Sequence, residues 1–176
     1  MRLFLAAVIP EACAIAITSA QEELRPYVQR ASWVKNAGAH VTVRFLGEQR
    51  SSRLIEDAIK GALCKVAPVE LKLGGLGAFP SPKKPKVLWL RVDGLERVAD
   101  KIDEVLDGLI SPRTQPFKGH VTLCRLRRPP KRGLKPEVLA FKLQERFLLS
   151  ELTLFKSELR PLGAVHTPLT HFTLGD

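Results

Sequence analysis

Short apolar runs rich in β-branched residues alternate along this chain with stretches whose apolar positions recur every three or four residues. The first pattern predicts strands over residues 3–9, 40–45, 69–73, 87–92, 120–125, 147–155 and 169–174. The second predicts helices over 10–30, 51–65 and 95–110, with a short helix after Pro136. Residues 74–85 are rich in Gly, Pro and Lys and are predicted to form a loop. Because some strands follow one another without a helix, the order predicts an α+β fold with antiparallel pairing rather than a doubly wound parallel sheet.

The length of 176 residues suits one well-buried domain, and we expect residues 1–176 to form a single domain. A similar strand recurs 80 residues apart, each time near a helix, which suggests two related halves that share a cleft. The apolar run from Leu3 to Ile9 is too short to span a bilayer, and Pro10 and Glu11 interrupt it. It is therefore predicted to be a buried first strand, not a membrane span or a signal peptide.

Lysine and arginine outnumber aspartate and glutamate by 28 to 18, which gives a net charge of +10. Much of the excess lies in two runs, one between Lys83 and Lys86 and one between Arg125 and Lys135. Such runs favour a polyanion such as nucleic acid, although a solvated basic surface would have the same composition. The three cysteines lie far apart and form neither a zinc pattern nor a disulfide framework, so we expect a reducing, cytoplasmic location.

Two of the four histidines begin nearly identical strands, His40-Val41-Thr42-Val43 and His120-Val121-Thr122-Leu123. Residues i and i+2 of a strand point to the same face, so each motif presents an imidazole beside a hydroxyl. If the two strands face one cleft, a neutral histidine can take a proton from water while a protonated histidine gives one to a leaving oxygen. The threonine hydroxyls can donate to phosphate oxygens that gain charge. The paired motifs therefore favour phosphoryl chemistry.

The other two histidines are weaker candidates. His171-Phe172-Thr173-Leu174 fits the same pattern, but its surroundings do not repeat those of the first two motifs, and its predicted strand is short. His166 lies in a turn-like Val-His-Thr-Pro stretch, which predicts a structural or surface role. A zinc site needs three or four ligands, commonly with a close pair, and threonine stands where each motif would need a second ligand. We therefore expect neither a metal nor a cofactor.

The paired motifs resemble those of the two-histidine (2H) phosphoesterases, specifically the LigT-like RNA 2′,3′-cyclic phosphodiesterases. The resemblance covers most of the chain. Outside the two motifs, it rests on Arg2-Leu3-Phe4-Leu5-Ala6, Phe45-Leu46-Gly47, Leu76-Gly77-Ala78-Phe79-Pro80, Phe117-Lys118-Gly119 and Ser157-Glu158-Leu159-Arg160-Pro161. The chain departs from the family pattern at Gly119, where proline is usual, and at His166, where tyrosine is more common.

The resemblance implies a two-lobed fold with a pseudo-twofold axis, in which antiparallel sheets line a central cleft and helices lie outside. It implies that His40 is the proton donor to the departing 3′ oxygen and that His120 is the proton acceptor from water, which leaves a 2′-phosphate. Thr42 and Thr122 would hold phosphate oxygens, and Arg125 would add a positive charge. The implied partner is RNA with a 2′,3′-cyclic phosphate end, tRNA fragments among the candidates, and we expect a monomer.

The position of Arg125 is not explained by alternation alone. Strict alternation from His120 places Cys124, not Arg125, on the face of the motif residues. The resemblance implies that Arg125 nonetheless reaches the phosphate, and a bulge near the strand end would reconcile the two. Strict alternation places Arg44 on the same face of its strand as His40, so Arg44 is the second choice for an anion contact.

Two other functions remain open on the sequence. The same cleft could act as a 2′-5′ RNA ligase or a 2′-5′ oligonucleotide phosphodiesterase, because one acid–base pair can run a reaction in both directions. The basic runs could also serve a non-catalytic RNA-binding domain, for which loss of a motif residue would be the expected sign. Both histidines and both threonines of the motifs are present, so hydrolysis is the favoured interpretation.

Overall fold

The computed structural model describes residues 1–35, 38–161 and 163–175. Its helices are α1 (Glu11–Leu24), α2 (Arg53–Leu63), α3 (Glu96–Val105) and the single turn α4 (Pro136–Leu139), and a 3₁₀ turn at Arg25–Tyr27 follows α1. Its strands are β1 (Arg2–Val8), β2 (Ala31–Trp33), β3 (His40–Glu48), β4 (Val69–Phe79), β5 (Val87–Asp93), β6 (His120–Leu126), β7 (Arg146–Leu149), β8 (Glu151–Arg160) and β9 (Gly163–Thr173).

These strands form two antiparallel sheets. The first has the strand order β3-β1-β8-β9, and the second has the order β2-β6-β5-β4-β7. Every pairing between neighbouring strands is antiparallel. The fold is therefore of the α+β class with two antiparallel sheets, as predicted. The two strands that begin with the motif histidines, β3 and β6, belong to different sheets.

One hydrophobic core includes residues of both sheets and of the three longer helices. Helices α2 and α3 pack against each other and against the first sheet, where α2 contacts β9 and α3 contacts β3. Helix α1 lies on the second sheet, where the Gln21 side-chain amide donates a hydrogen bond to the carbonyl oxygen of Leu123 at 3.0 Å. The chain thus crosses from the first sheet to the second after β1 and returns to the first sheet at β3, and β3 contacts β6 of the second sheet.

The predicted loop over residues 74–85 is wrong in its first half, because β4 continues to Phe79. A β-carbon at Gly77 would collide with the ring of Trp89, so glycine here permits close approach of β4 and β5 and does not break the strand. The predicted turn around His166 is also wrong, because this residue lies within β9. Pro168 suggested a break, but β9 is an edge strand, which tolerates a missing backbone N–H.

The stretch predicted as one strand over 147–155 consists of β7 and β8, which lie in different sheets. The helices predicted over 10–30 and 95–110 are shorter than expected, since α1 ends at Leu24 and α3 at Val105. Pro26 lies in the 3₁₀ turn that ends the first of them, and the short strand β2 that comes after this turn was not predicted. None of the described helices is both long and apolar enough to cross a membrane.

Candidate active site

His40 and His120 occupy equivalent positions, each as the half-buried first residue of its strand. The His40 Nδ1 atom lies 3.0 Å from the carbonyl oxygen of Gly38, and the His120 Nδ1 atom lies 2.7 Å from that of Lys118. Because a carbonyl oxygen can only accept, Nδ1 carries a proton and donates in both rings. The nitrogen left for chemistry is therefore Nε2, an acceptor in the neutral ring and a donor in the charged ring.

Aromatic side chains from the adjacent strand and from the strand beyond it flank both imidazoles. Between ring centroids, His40 lies 5.2 Å from Phe4 and 6.1 Å from Phe155, and His120 lies 5.1 Å from Phe79 and 5.8 Å from Trp89. Such walls restrict the orientation of each imidazole and exclude water from one side of it. The sequence did not identify these aromatic residues as part of the site, because contacts across a sheet depend on strand register.

Burial lowers the pKa of His120, and the positive charges of Lys118 and His40 lower it further, while the hydrogen bond to the Lys118 carbonyl oxygen acts in the opposite direction. The strands that carry the two imidazoles, β3 and β6, contact each other although they lie in different sheets. A lowered pKa keeps the His120 ring neutral at pH 7, with a lone pair on Nε2. This is the state that a general base requires.

A β-bulge in β6 decides the direction of Arg125. Thr122 is paired with Trp89 and Cys124 with Leu88, so Leu123 is an extra residue in the pairing with β5. Leu123 and Cys124 are accordingly both buried, and Arg125 is exposed. After a bulge the alternation of faces resumes with opposite parity. Arg125 therefore shares the open face of His120 and Thr122, which resolves the conflict between alternation and the resemblance.

The same irregularity occurs in β3 and excludes Arg44 from the site. Thr42 is paired with Ala6 and Arg44 with Leu5, so Val43 is the extra residue. Arg44 is consequently buried, and its guanidinium lies 3.1 Å from a carboxylate oxygen of Asp103. The choice of Arg44 as an anion contact is wrong, because the bulge turns its side chain toward the core and an ion pair.

His166 lies beside His40, although the sequence predicted a structural or surface role for it. Its ring stands edge-on to His40, with centroids 5.5 Å apart, and edge-on to Phe4 at 4.9 Å. Burial lowers the pKa of His166, and the charges of His40 and Arg2 lower it further. The sequence held one sign that His166 belongs to the site. Tyrosine is common in the family at this position, so an aromatic ring is usual there.

His171 makes different contacts. Its Nδ1 atom lies 2.8 Å from a carboxylate oxygen of Glu151 and 3.2 Å from the hydroxyl of Thr153, both on β8. The ring contacts found among the described residues do not connect it with His40 or His120. The structure therefore brings together the first two His-x-Thr motifs, and it places the third match against the acidic side chain of a neighbouring strand.

Gly119, the other departure from the family pattern, is explained by a close approach between strands. A β-carbon at this position would collide with the carbonyl oxygen of Val92. The carbonyl oxygen of Gly119 in turn accepts a hydrogen bond from the Val92 amide at 2.9 Å. Glycine thus lets the chain enter β6 tightly against β5, directly before His120.

Across the described ranges 1–35, 38–161 and 163–175, no three His, Cys, Asp or Glu side chains lie close enough together to hold a metal ion. The titratable groups described at this site include the imidazoles of His40, His120 and His166, and the neighbouring cations include Arg2, Lys118 and Arg125. The arrangement places two imidazoles, two threonine hydroxyls and positive charge on two strands that contact each other. It can perform acid–base chemistry on an anionic substrate.

Two antiparallel sheets that each bring one His-x-Thr motif to a common cleft are the architecture of the two-histidine phosphoesterases. The family model described as the 2′-5′ RNA ligase superfamily matches residues 9–160, and the chain belongs to this superfamily. A Thermus thermophilus relative named RNA 2′,3′-cyclic phosphodiesterase is 33% identical, over 99% of this chain and 90% of the relative. A Methanocaldococcus jannaschii protein of the same name is 30% identical, over 94% of this chain and 96% of the relative.

Solved structures agree with this assignment. The crystal structure of a protein from Thermus thermophilus superposes with a TM-score of 0.84 at 29% identity and covers 100% of both chains. The crystal structure of E. coli LigT in its apo form gives a TM-score of 0.75 at 22% identity, over 99% of this chain and 98% of LigT. The second similarity concerns the fold alone.

Proposed function

We propose that this protein hydrolyses 2′,3′-cyclic phosphate ends of RNA to 2′-phosphomonoesters, using a two-histidine acid–base mechanism that needs no metal. The observation that carries the proposal is the matched pair of imidazoles, each with Nδ1 bound to a backbone carbonyl two residues earlier. The activity named for relatives that align over almost the whole chain supports the same substrate class.

In the proposed reaction, water attacks the phosphorus of the cyclic phosphate. His120 Nε2 accepts a proton from the water as the new P–O bond forms. The bond from phosphorus to the 3′ oxygen breaks, and His40 Nε2 donates its proton to that oxygen. The lowered pKa of His120 supports the direction, because a ring that resists protonation suits the base.

Three further side chains are assigned to the phosphate. Thr42 and Thr122 lie two residues after the histidines and share their half-buried state, so their hydroxyls can donate to the non-bridging oxygens. Arg125, which the bulge brings to the open face of β6, adds a positive charge where negative charge develops.

We also propose that residues 1–176 form one domain, which acts as a monomer in the cytoplasm on RNA ends, tRNA fragments among them. The shared core of the two sheets supports a single domain. The unpaired state of Cys13, Cys64 and Cys124 suits a reducing compartment.

Product analysis on an RNA oligonucleotide with a 2′,3′-cyclic phosphate tests the proposal. We expect a 2′-phosphate end, and the same rate in EDTA as in added magnesium or zinc. Release of a 3′-phosphate would reverse the assigned leaving group. Loss of activity in EDTA that zinc restores would contradict the proposed mechanism.

Ligation is the second candidate, because the matching family model is that of the 2′-5′ RNA ligase superfamily. A 5′-hydroxyl in place of water would give a 2′-5′ phosphodiester with the same two proton transfers. Adding a 5′-hydroxyl oligonucleotide to the product analysis distinguishes the two reactions, since a joined strand would appear in place of the 2′-phosphate.

Removing the charge of Lys118 is expected to move the acid limb of the rate profile to higher pH. The positive charge of Lys118 lowers the pKa of His120, after the larger effect of burial. His120 acts as a base only when unprotonated, so activity falls as the pH drops through its pKa, and a higher pKa moves that fall upward. The measurement is kcat/KM for a 2′,3′-cyclic nucleotide against pH in Lys118→Met, with the exposed Lys60→Met as the matched control. An acid limb that stays in place would refute this influence of Lys118.

A further inference from the structure

Three segments that are distant in sequence meet at one end of the second sheet: residues 28–33, 80–86 and 125–135. The backbone hydrogen bonds that join them run from the amide of Leu126 to the carbonyl of Lys86 (2.8 Å), from Arg127 to Arg30 (2.9 Å) and from Leu134 to Pro82 (2.9 Å). Gly133 packs against the backbone of the second segment, where a β-carbon would lie 2.8 Å from the Pro82 carbonyl oxygen. The three segments therefore form one surface.

This surface carries ten basic side chains and no acidic one: Arg30, Lys83, Lys84, Lys86, Arg125, Arg127, Arg128, Lys131, Arg132 and Lys135. All ten are exposed. None of the ion pairs found within the described residues includes any of them. The chain has 28 basic and 18 acidic residues, so without these ten the two counts are equal. The whole net charge thus belongs to this surface, which we call the basic platform.

The basic platform is continuous with the candidate active site through β6. This strand begins at His120 and ends at Leu126, within the platform, and Arg125 lies on its open face. Arg125 is the one platform residue that is also assigned to the reacting phosphate. The other nine lie at or beyond the end of β6, which at a rise of about 3.3 Å per residue is roughly 20 Å along the strand from His120. A cyclic mononucleotide bound at His120 is too small to reach them. A stacked strand advances about 3.4 Å per nucleotide and covers this distance in about six nucleotides.

We propose that the basic platform binds the phosphates of the RNA strand that leads to the cyclic end, so that the enzyme prefers oligonucleotide ends to cyclic mononucleotides. The catalytic part of this statement rests on the proposed function, but the binding part does not. Ten cations without acidic neighbours favour a polyanion, because each phosphate contact releases a condensed counterion. Their continuity with the strand of His120 favours the substrate's own strand over an unrelated acidic partner.

The test compares two variants that each lose four positive charges. The platform variant carries Lys84→Gln, Arg128→Gln, Lys131→Gln and Arg132→Gln, all at exposed side chains outside the catalytic groups. The control variant carries Arg53→Gln, Lys60→Gln, Lys65→Gln and Arg97→Gln, at exposed positions of α2 and α3 or just beyond α2. The substrates are a twelve-nucleotide RNA with a 2′,3′-cyclic phosphate and 2′,3′-cyclic AMP.

In the platform variant, we expect kcat/KM for the oligonucleotide to fall about tenfold or more at low salt. A plot of log kcat/KM against the logarithm of the salt concentration should also be shallower, by about 0.7 for each phosphate that the variant no longer neutralises. Turnover of 2′,3′-cyclic AMP is expected to stay within about twofold, because the four changed side chains lie at or beyond the end of β6 or on the segments joined to it, and none of them is assigned to the reacting phosphate. The control variant is expected to match the wild type on both substrates.

Equal losses on both substrates, or the same loss in the control variant, would overturn the proposal. Binding of a twelve-nucleotide RNA that ends in a 2′-phosphate, measured by fluorescence anisotropy, provides a readout that does not need catalysis. If the wild type hydrolyses neither substrate, the proposed function fails, yet weaker anisotropy binding in the platform variant alone still supports the platform. Normal RNA binding by that variant, together with lost binding to phosphatidylserine vesicles, would assign the platform to a membrane surface and overturn the inference.

Discussion

Replacing His120 with alanine is expected to lower kcat for a 2′,3′-cyclic nucleotide by about 10²–10⁴, and replacing His40 by the same order. Each change removes the Nε2 atom that we propose transfers a proton, and the Nδ1 bonds to the carbonyl oxygens of Gly38 and Lys118 hold each ring in one orientation. The measurement is steady-state turnover at neutral pH, with thermal unfolding recorded to confirm that each variant folds.

His171→Ala provides the matched control, because it removes the third histidine that fits the same sequence pattern. His171 contacts Glu151 and Thr153 rather than the aromatic walls of the cleft. We therefore expect its turnover to stay within a few-fold of the wild type. A loss of the same size in all three variants would contradict the assignment of His40 and His120.

Replacing Asp103 with alanine is expected to destabilise the protein by about 2–3 kcal/mol. This is less than the cost of about 3–5 kcal/mol for breaking a fully buried ion pair, because Asp103 is partly exposed. The Asp103 carboxylate lies 3.1 Å from Arg44 Nε and 2.7 Å from Arg113 Nε. Arg113 also donates to the carbonyl oxygen of Val43, the bulged residue, at 2.9 Å. The change leaves Arg44 buried without its counterion. Differential scanning calorimetry should show a melting temperature lower by ~5–10 °C.

Two variants distinguish this ion-pair effect from a general effect of mutation. Asp57→Ala changes an exposed carboxylate on α2 and is expected to leave the melting temperature nearly unchanged. Adding Arg44→Met to Asp103→Ala removes the unpaired buried charge and should recover part of the lost stability. A double variant less stable than Asp103→Ala would show that the buried charge is not the cause.

The network around Asp103 also links the two motifs. Arg44 donates to the carbonyl oxygen of Ser111 at 2.6 Å, and the Arg113 guanidinium lies 5.4 Å from the ring centroid of Phe117. Phe117 is three residues before His120, so the segment that precedes the second motif is attached to the bulge of the first. Disrupting the Asp103 network is therefore expected to lower kcat as well as stability, and to shift the pH profile of the rate less than Lys118→Met does.

Much of the fold could be predicted from the sequence because the strongest patterns are local. Apolar runs predicted the cores of β1, β3, β5 and β6, and helical spacing predicted α2 nearly to its ends. The wrong predictions lie where the position of a residue in its sheet outweighs the local conformational preference of that residue. Gly77 suggested a loop, but it is a contact point for Trp89, and Pro168 suggested a break, but it lies on a sheet edge. Nothing in a single strand reveals which strand packs beside it.

The same distinction between local pattern and strand packing applies to the candidate active site. The sequence by itself determined the paired imidazoles and hydroxyls, because two-residue alternation holds within the first three residues of β3 and β6. Only the tertiary structure decided the directions of the later side chains in these strands, since the bulges at Val43 and Leu123 depend on pairing with β1 and β5. These bulges turn Arg44 into the core and Arg125 onto the open face. The register of β8 and β9 likewise decided that His166, not His171, lies beside His40.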